Sequence, residues 1–425
     1  MSKIVVYDEI MGSGKTYNAI KRMKEYLSEN KKFIYITPFK KEITRVVEAL
    51  NSPEVFAPIG RDDNGDIPFE LEYDYKNADG DFDLNAKPKF KYLNKRAQFL
   101  KMASNGVNII STHALFMGLK REDFSLFSDY ILILDEVATP LKPYKITEHD
   151  FNMLKNQDMI IIDKNTNQVK FINDEYIGKF KEVKALCNNS TVYYLDKIFL
   201  VWVFPIEIFR EFKEVQILTY LFEGSLLSPY FKMYNIEYTI KSNNSISQLN
   251  EVKRLLNIYE GVANSDNTFN TFSKSWSEAL SSSRAKKITN NVSNIFKRNF
   301  KTKSHENAYT TFKSCKSKLA GKTYTKGFIA INARASNENR HKKSMAYLGN
   351  RYFDPQTINF FRERGIKLNE DLWALSELIQ WIWRGCIRDK KAMNLYIPNS
   401  RMRSLLKEWL EGKYIVENAK LKKAV

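Results

Sequence analysis

Through the first 140 positions, short and almost unbroken apolar runs alternate with longer segments whose apolar residues recur every three or four positions. Ile4–Val6, Phe33–Thr37, Val107–Ser111 and Ile131–Leu134 are rich in β-branched residues and lack polar alternation, the pattern of strands covered on both faces of a parallel sheet. Ile20, Met23 and Leu27 form one stripe of a helix between the first two runs. Strand, helix, strand in this order predicts an α/β fold with a parallel sheet. Met159–Ile162 and Gln168–Ile172 flank Asp163-Lys164-Asn165-Thr166-Asn167 and predict an inserted β-hairpin, after which Gln216–Thr219 resumes the α/β pattern. Beyond position 237 the chain turns polar, with a helical patch at Ser293–Phe300. Strands are expected at Phe328–Asn332 and Asn394–Ile397, bracketing a helix over Asp371–Ile387. The predicted organisation is two α/β lobes, 1–228 and 229–425, with a hairpin insertion near 159–172.

Composition narrows the partners more than the fold. The 425 residues carry 67 Lys and Arg against 49 Asp and Glu, a net charge of +18, and at 43% hydrophobic content the chain can bury a large core. No apolar run approaches the roughly 20 residues that cross a bilayer, and no signal-peptide core opens the chain, so a soluble cytoplasmic protein is expected. Cys187, Cys315 and Cys386 are odd in number and stand in no metal-binding or disulfide spacing. The charge is concentrated. Asp62 to Asp83 holds nine acids against Lys76 alone, the signature of an exposed loop, whereas Lys274 to Lys326 holds 13 bases against Glu278 and Glu306. That basic segment interleaves Lys286, Lys287, Lys297, Arg298, Lys301 and Lys303 with Trp276, Phe296, Phe300, Tyr309, Phe312 and Tyr324, a combination that suits a nucleic-acid strand.

Three segments carry chemistry. In Glu9-Ile10-Met11-Gly12-Ser13-Gly14-Lys15-Thr16, placed between a strand and a helix, Gly12 and Gly14 permit the tight turn that aims backbone N–H groups, with that of Ser13, at phosphate oxygens. Lys15 reaches the terminal phosphates, and Thr16 offers a hydroxyl to Mg²⁺. Glu9 stands where the strict phosphate-loop motif has glycine. The strand Ile131–Leu134 delivers Asp135 to hold Mg²⁺ and Glu136 to polarise water. In the second lobe, Gln380, Arg384 and Arg388 fall at i, i+4 and i+8 on the predicted helix 371–388, one stripe able to present guanidinium groups to a triphosphate.

Taken together, the phosphate loop, Ile36-Thr37-Pro38, Ser111-Thr112-His113, Asp135-Glu136, Leu218-Thr219-Tyr220, Asn332 to Asn337 and the Gln380/Arg384/Arg388 segment resemble superfamily 2 nucleic-acid helicases of the DEAD/DEAH type. The likeness is strongest to compact helicase-like proteins encoded by bacteriophages. The resemblance implies two RecA-like lobes hydrolysing ATP with Mg²⁺ at their interface, in phage DNA replication or recombination within the host cytoplasm. It implies single-stranded or forked DNA as partner, alongside replication proteins. It assigns Thr37, Ser111, Thr112 and Arg334 to the nucleic-acid path or the cleft, with Thr219 coupling the lobes. His113 is expected to be a packed loop residue. Two other readings share these motifs: a nucleotide-gated DNA-binding adaptor, and a DNA-packaging motor ATPase. The second would add a carboxylate-rich nuclease that positions 274–425 lack.

Overall fold

The computed structural model describes residues 2–60, 69–72, 89–189, 191–195, 199–264, 270–332 and 338–415. The acidic run from Asp62 to Asp83 falls outside the described residues apart from the strand Phe69–Glu72, which pairs antiparallel with Lys89–Tyr92. The chain divides into two compact units, one of Met1–Val5 with Thr16–Leu218, the other of Val6–Lys15 with Thr219–Val425.

The four apolar runs of the first region are strands, Lys3–Asp8, Lys32–Thr37, Asn108–Thr112 and Tyr130–Asp135. They lie in a seven-stranded sheet ordered Thr239–Lys241, Lys3–Asp8, Glu214–Thr219, Tyr130–Asp135, Lys32–Thr37, Asn108–Thr112 and Val55–Phe56. Parallel registers such as Ile36 opposite Leu134, Thr37 opposite Thr112 and Leu218 opposite Asp135 bring the carboxyl ends of the strands to one edge. Phe33, Ile34, Ile36, Leu132, Ile133 and Leu134 are fully buried, as the absence of polar alternation requires. The helix Lys15–Ser28 buries Ala19, Ile20 and Met23, while Leu27 is half-buried at its edge.

The expected hairpin is real but belongs to something larger. Ile160–Ile162 pairs with Gln168–Phe171, and these are the last two strands of a five-stranded antiparallel sheet ordered Leu141–Lys145, Phe199–Val203, Thr191–Leu195, Gln168–Phe171 and Ile160–Ile162. At the hairpin turn Asp163 accepts hydrogen bonds from the Asn165 and Thr166 N–H groups and the Thr166 hydroxyl, and Asn167 takes a positive φ. Two helices, Glu148–Asn156 and Lys181–Asn189, contribute Phe151, Leu154 and Val183 to a core with Val169, Phe171, Val192 and Leu200. That cover stabilises a hairpin that would be marginal alone.

In the second unit a four-stranded parallel sheet runs Leu256–Ile258, Met393–Tyr396, Ser344–Tyr347, Asn307–Thr310. The strand expected at Asn394–Ile397 is its second member. The strand expected at Phe328–Asn332 is not formed: Phe328 makes one isolated bridge to Tyr309, and the Ile329 carbonyl accepts from the Trp381 indole instead of from a ladder. The helix expected over Asp371–Ile387 is Glu370–Ile382. It stops because the chain passes Gly385 between the sulfur atoms of Met345 and Met393 and the Lys342 carbonyl, where a Cβ would come within 2.5 Å of either sulfur. In the basic segment the helix Ser282–Asn294 runs into a π-turn at Ile295–Asn299. Phe296, Tyr309 and Tyr324 are buried and packed on one another, so these aromatics are core and not a stacking platform; Lys286, Lys287, Lys297, Arg298, Lys301 and Lys303 are exposed. Among the described residues, no helix is long and apolar enough to cross a membrane.

Candidate phosphate-binding site

The loop after the first strand is shaped by two glycines, Gly12 at φ +81° and Gly14 at φ +89°, values that other residues adopt only under strain. The Lys15 ammonium donates to the carbonyl oxygens of Glu9, at 2.5 Å, and Ile10, at 3.0 Å, which folds the side chain over the loop. Glu9 replaces the motif's first glycine and has its own task. Its carboxylate accepts from the Ser13 hydroxyl at 3.0 Å and from the Asn243 amide at 3.0 Å, so it closes the turn and ties it to the segment carrying Asn243. Asn244 adds a second clasp, accepting from the Ile10 N–H at 2.7 Å and donating to the Asp8 carbonyl at 2.9 Å. Asp8, buried at the strand's end, accepts from the backbone N–H groups of Leu221 and Phe222. Burial raises its carboxyl above the usual aspartate range, against the lowering effect of those two hydrogen bonds.

Thr16 and Asp135, 119 positions apart in sequence, meet at the strand ends: the Thr16 hydroxyl donates to the Asp135 carboxylate at 3.2 Å. The same carboxylate oxygen accepts from the Tyr35 hydroxyl at 2.5 Å. Burial, and then the charge of Asp135, hold the Tyr35 phenol well above its ordinary value, so it stays a donor. His113 lies with Nε2 3.1 Å from the Asp135 carbonyl oxygen, a packed position at the start of a short helical turn. Glu136 sits in the left-handed region at φ +67°, a conformation costing about 1–3 kcal/mol that turns the chain sharply at the strand end. Its N–H donates to the Leu218 carbonyl at 2.9 Å.

Other expected residues fall differently. Thr37 and Ser111 are buried in paired strands, and the Thr112 hydroxyl caps the turn that follows by accepting from Leu115 N–H. Arg334, with the 333–337 segment, lies outside the described residues. Thr219 is buried, and its carbonyl accepts from Glu9 N–H at 3.0 Å. Gln380, Arg384 and Arg388 do not form one helical stripe. Only Gln380 is within the helix, where its amide donates to Ser376 at 3.4 Å. Arg384 follows the helix end and is buried, and Arg388 is exposed in the short turn Cys386–Asp389. Lys297, Arg298 and Lys301 are all exposed, with Lys301 at φ +52° just after the π-turn.

Sequence reasoning missed Tyr35, Asn243, Asn244 and Trp383. Tyr35 was legible as a hydroxyl inside the apolar run Phe33–Ile36, two residues before the strand's end; the asparagines had no signal beyond a polar loop. Trp383 faces the phosphate loop: a Cβ built on Gly12 would find the Trp383 indole nitrogen at 3.5 Å.

Comparison with known proteins bears on this site in two ways. The chain is 36% identical over 436 residues to the SPbeta prophage-derived protein YonV of Bacillus subtilis strain 168, spanning 97% of this chain and all of the relative. Residues 250–410 match the YonV C-terminal Rossmann-like domain, and residues 141–202 match the YonV middle domain. The latter range coincides with the five-stranded antiparallel sheet. Among solved structures, an XPD helicase superposes with a TM-score of 0.50 at 12% identity, covering 96% of this chain and 94% of the other. The likeness is one of fold.

Proposed function

The chain belongs to the YonV family, and from the site built above we propose that it is an ATP-driven nucleic-acid helicase or translocase of a phage-derived element, acting on single-stranded or forked DNA. The observation that carries this reading is the Thr16–Asp135–Tyr35 cluster at the strand ends, directly following a loop with two positive-φ glycines. The XPD-like fold, the prophage origin of the relative and the exposed bases Lys297, Arg298 and Lys301 support it.

In this reading the backbone of Gly12, Ser13 and Gly14 cradles the phosphates, and Lys15 exchanges its carbonyl partners for phosphate oxygens. The donor set fits Mg²⁺: one hydroxyl and one carboxylate leave the remaining positions to phosphate oxygens and water, the usual arrangement for an ion that resists an all-protein cage. Thr16 and Asp135 would hold it, and when bound it neutralises charge on the phosphates. Tyr35 fixes the Asp135 carboxylate in one orientation. Glu136, held on its turn, orients and polarises the attacking water. Arg384, buried directly after the tryptophan that faces Gly12, supplies positive charge to the transferring phosphoryl group.

The test is strand displacement on forked DNA with ATP, run beside Glu136→Gln. Wild-type protein displaces the strand, and the variant binds ATP and DNA without displacing it. ATP hydrolysis with no displacement or movement on any fork would assign the chain to the adaptor class.

A further inference from the structure

We propose that the indole N–H of Trp383 is a donor of the candidate phosphate site, reaching over Gly12 to a phosphate oxygen of the bound nucleoside triphosphate. The inference rests on the reading of the loop as a nucleotide site and adds a ligand-binding residue that the loop's own motif does not contain.

Three observations carry it. First, among the described residues other than Gly12's chain neighbours, the indole nitrogen is the only heavy atom within 4 Å of a Cβ built on Gly12, so the polar edge of the ring meets the loop. Second, Trp383 is 7% exposed, and among the described residues its N–H has no hydrogen-bond acceptor, while the two neighbouring indoles are both satisfied inside the core. Trp381 donates to the Ile329 carbonyl at 3.3 Å, and Trp409 donates to the Tyr220 hydroxyl at 2.5 Å. The indole nitrogen is unpartnered yet not fully enclosed, so it keeps a small opening beside the loop through which an acceptor from outside the fold can reach it. Third, the ring cannot swing away. Its partner Trp409 packs edge-on at 5.9 Å, and Trp409 is tied through Tyr220 to the chain segment whose Thr219 carbonyl and Leu221 and Phe222 N–H groups bind Glu9 and Asp8. The loop and the tryptophan are therefore held by the same segment, and the donor is preorganised.

The acceptor is identified by chemistry. A loop that carries Lys15 and turns on two positive-φ glycines selects an anion with several oxygens, and an indole N–H adds a neutral donor without adding charge. A hydrogen bond to an ionised oxygen is the strong kind, so its removal should weaken binding by about tenfold.

The experiment uses full-length protein and Mg–ATPγS. Isothermal titration of wild type and Trp383→Phe is expected to give a dissociation constant about tenfold higher for the variant, with an unchanged melting temperature. In the ¹H–¹⁵N spectrum of wild type, one indole signal moves downfield on adding Mg–ATPγS, a readout that does not depend on the variant folding. Binding by Trp383→Phe within twofold of wild type, or indole signals that all stay in place while wild type binds, overturns the inference. Wild type that binds no ATPγS overturns the nucleotide-site reading itself, which keeps the two failures apart.

Discussion

The two parallel sheets are built on opposite solutions to the same problem. In the seven-stranded sheet two central strands are almost wholly apolar, Tyr130-Ile-Leu-Ile-Leu-Asp135 and Lys32-Phe-Ile-Tyr-Ile-Thr37, with Thr37 and Asp135 at their carboxyl ends. In the four-stranded sheet a polar row runs through the register from strand to strand: Asn257 opposite Asn394, Asn394 opposite Ser344, Ser344 opposite Asn307. The row is bonded along its length. Asn257 donates to Asn394 at 2.8 Å, Asn394 to Ser344 at 3.1 Å, the Ser344 and Thr302 hydroxyls pair at 3.0 Å, and Thr302 donates to Asn307 at 2.7 Å, while Asn307 donates to the Thr323 carbonyl at 3.0 Å. The first sheet is held by area removed from water and the second in part by satisfied polar groups, whose net worth is smaller but whose geometry is stricter.

That contrast can be broken from either side. Leu132→Ala, at a fully buried position between two strands, removes apolar volume that neighbouring strands cannot refill and should cost about 2–5 kcal/mol in urea unfolding. A cost under about 1 kcal/mol would mean that the first sheet does not depend on close packing. Asn394→Ala severs two bonds, one to exposed Asn257 and one to Ser344, which keeps Thr302, so a loss of about 1 kcal/mol is expected. Removing both ends of a bond together, Asn394→Ala with Ser344→Ala, should cost less than the sum of the single changes; strict additivity in that cycle would deny that the row is a network.

The contrast also explains what was legible in the sequence. Apolar runs announce strands covered on both faces, so five strands of the first sheet and the placement of Asp135 at a strand end followed from pattern, whereas Val55–Phe56, Thr239–Lys241 and the registers did not. Asn307-Ala-Tyr-Thr310 and Ser344-Met-Ala-Tyr347 have neither alternation nor a run, because their polar members are satisfied sideways by neighbouring strands. Nothing local marks them. The helix carrying Gln380 was visible by its period, but its end was not. That end is set by the sulfur atoms of Met345 and Met393 against Gly385, a contact between segments about 40 residues apart or more in one case. At the phosphate loop the glycines, Lys15, Thr16 and Asp135 were readable from residue type and spacing. The clasps by Glu9, Asn243 and Asn244 were not, since they are made across more than 230 positions in two of the three cases.

A smaller effect probes the polar end of the first sheet. Burial raises the Asp8 carboxyl, so the native state favours the protonated form; the stability it contributes is present below the usual aspartate value of 3.8 and is lost as pH rises through the raised native one. Asp8→Asn does not ionise. Its cost relative to wild type should therefore shrink as pH rises from about 4 through the raised native value in denaturant unfolding. A cost that grows over that range would reverse the assigned direction.

The central claim, that the loop from Glu9 to Thr16 binds and hydrolyses nucleoside triphosphate, is tested most directly by Mg–ATP turnover with single-stranded DNA present, in wild type and Lys15→Ala. Wild type is expected to hydrolyse ATP, and the variant, lacking the cation that leaves the Glu9 and Ile10 carbonyls for the phosphates, to lose at least about a hundredfold in rate. Equal turnover in the two proteins would contradict the assignment.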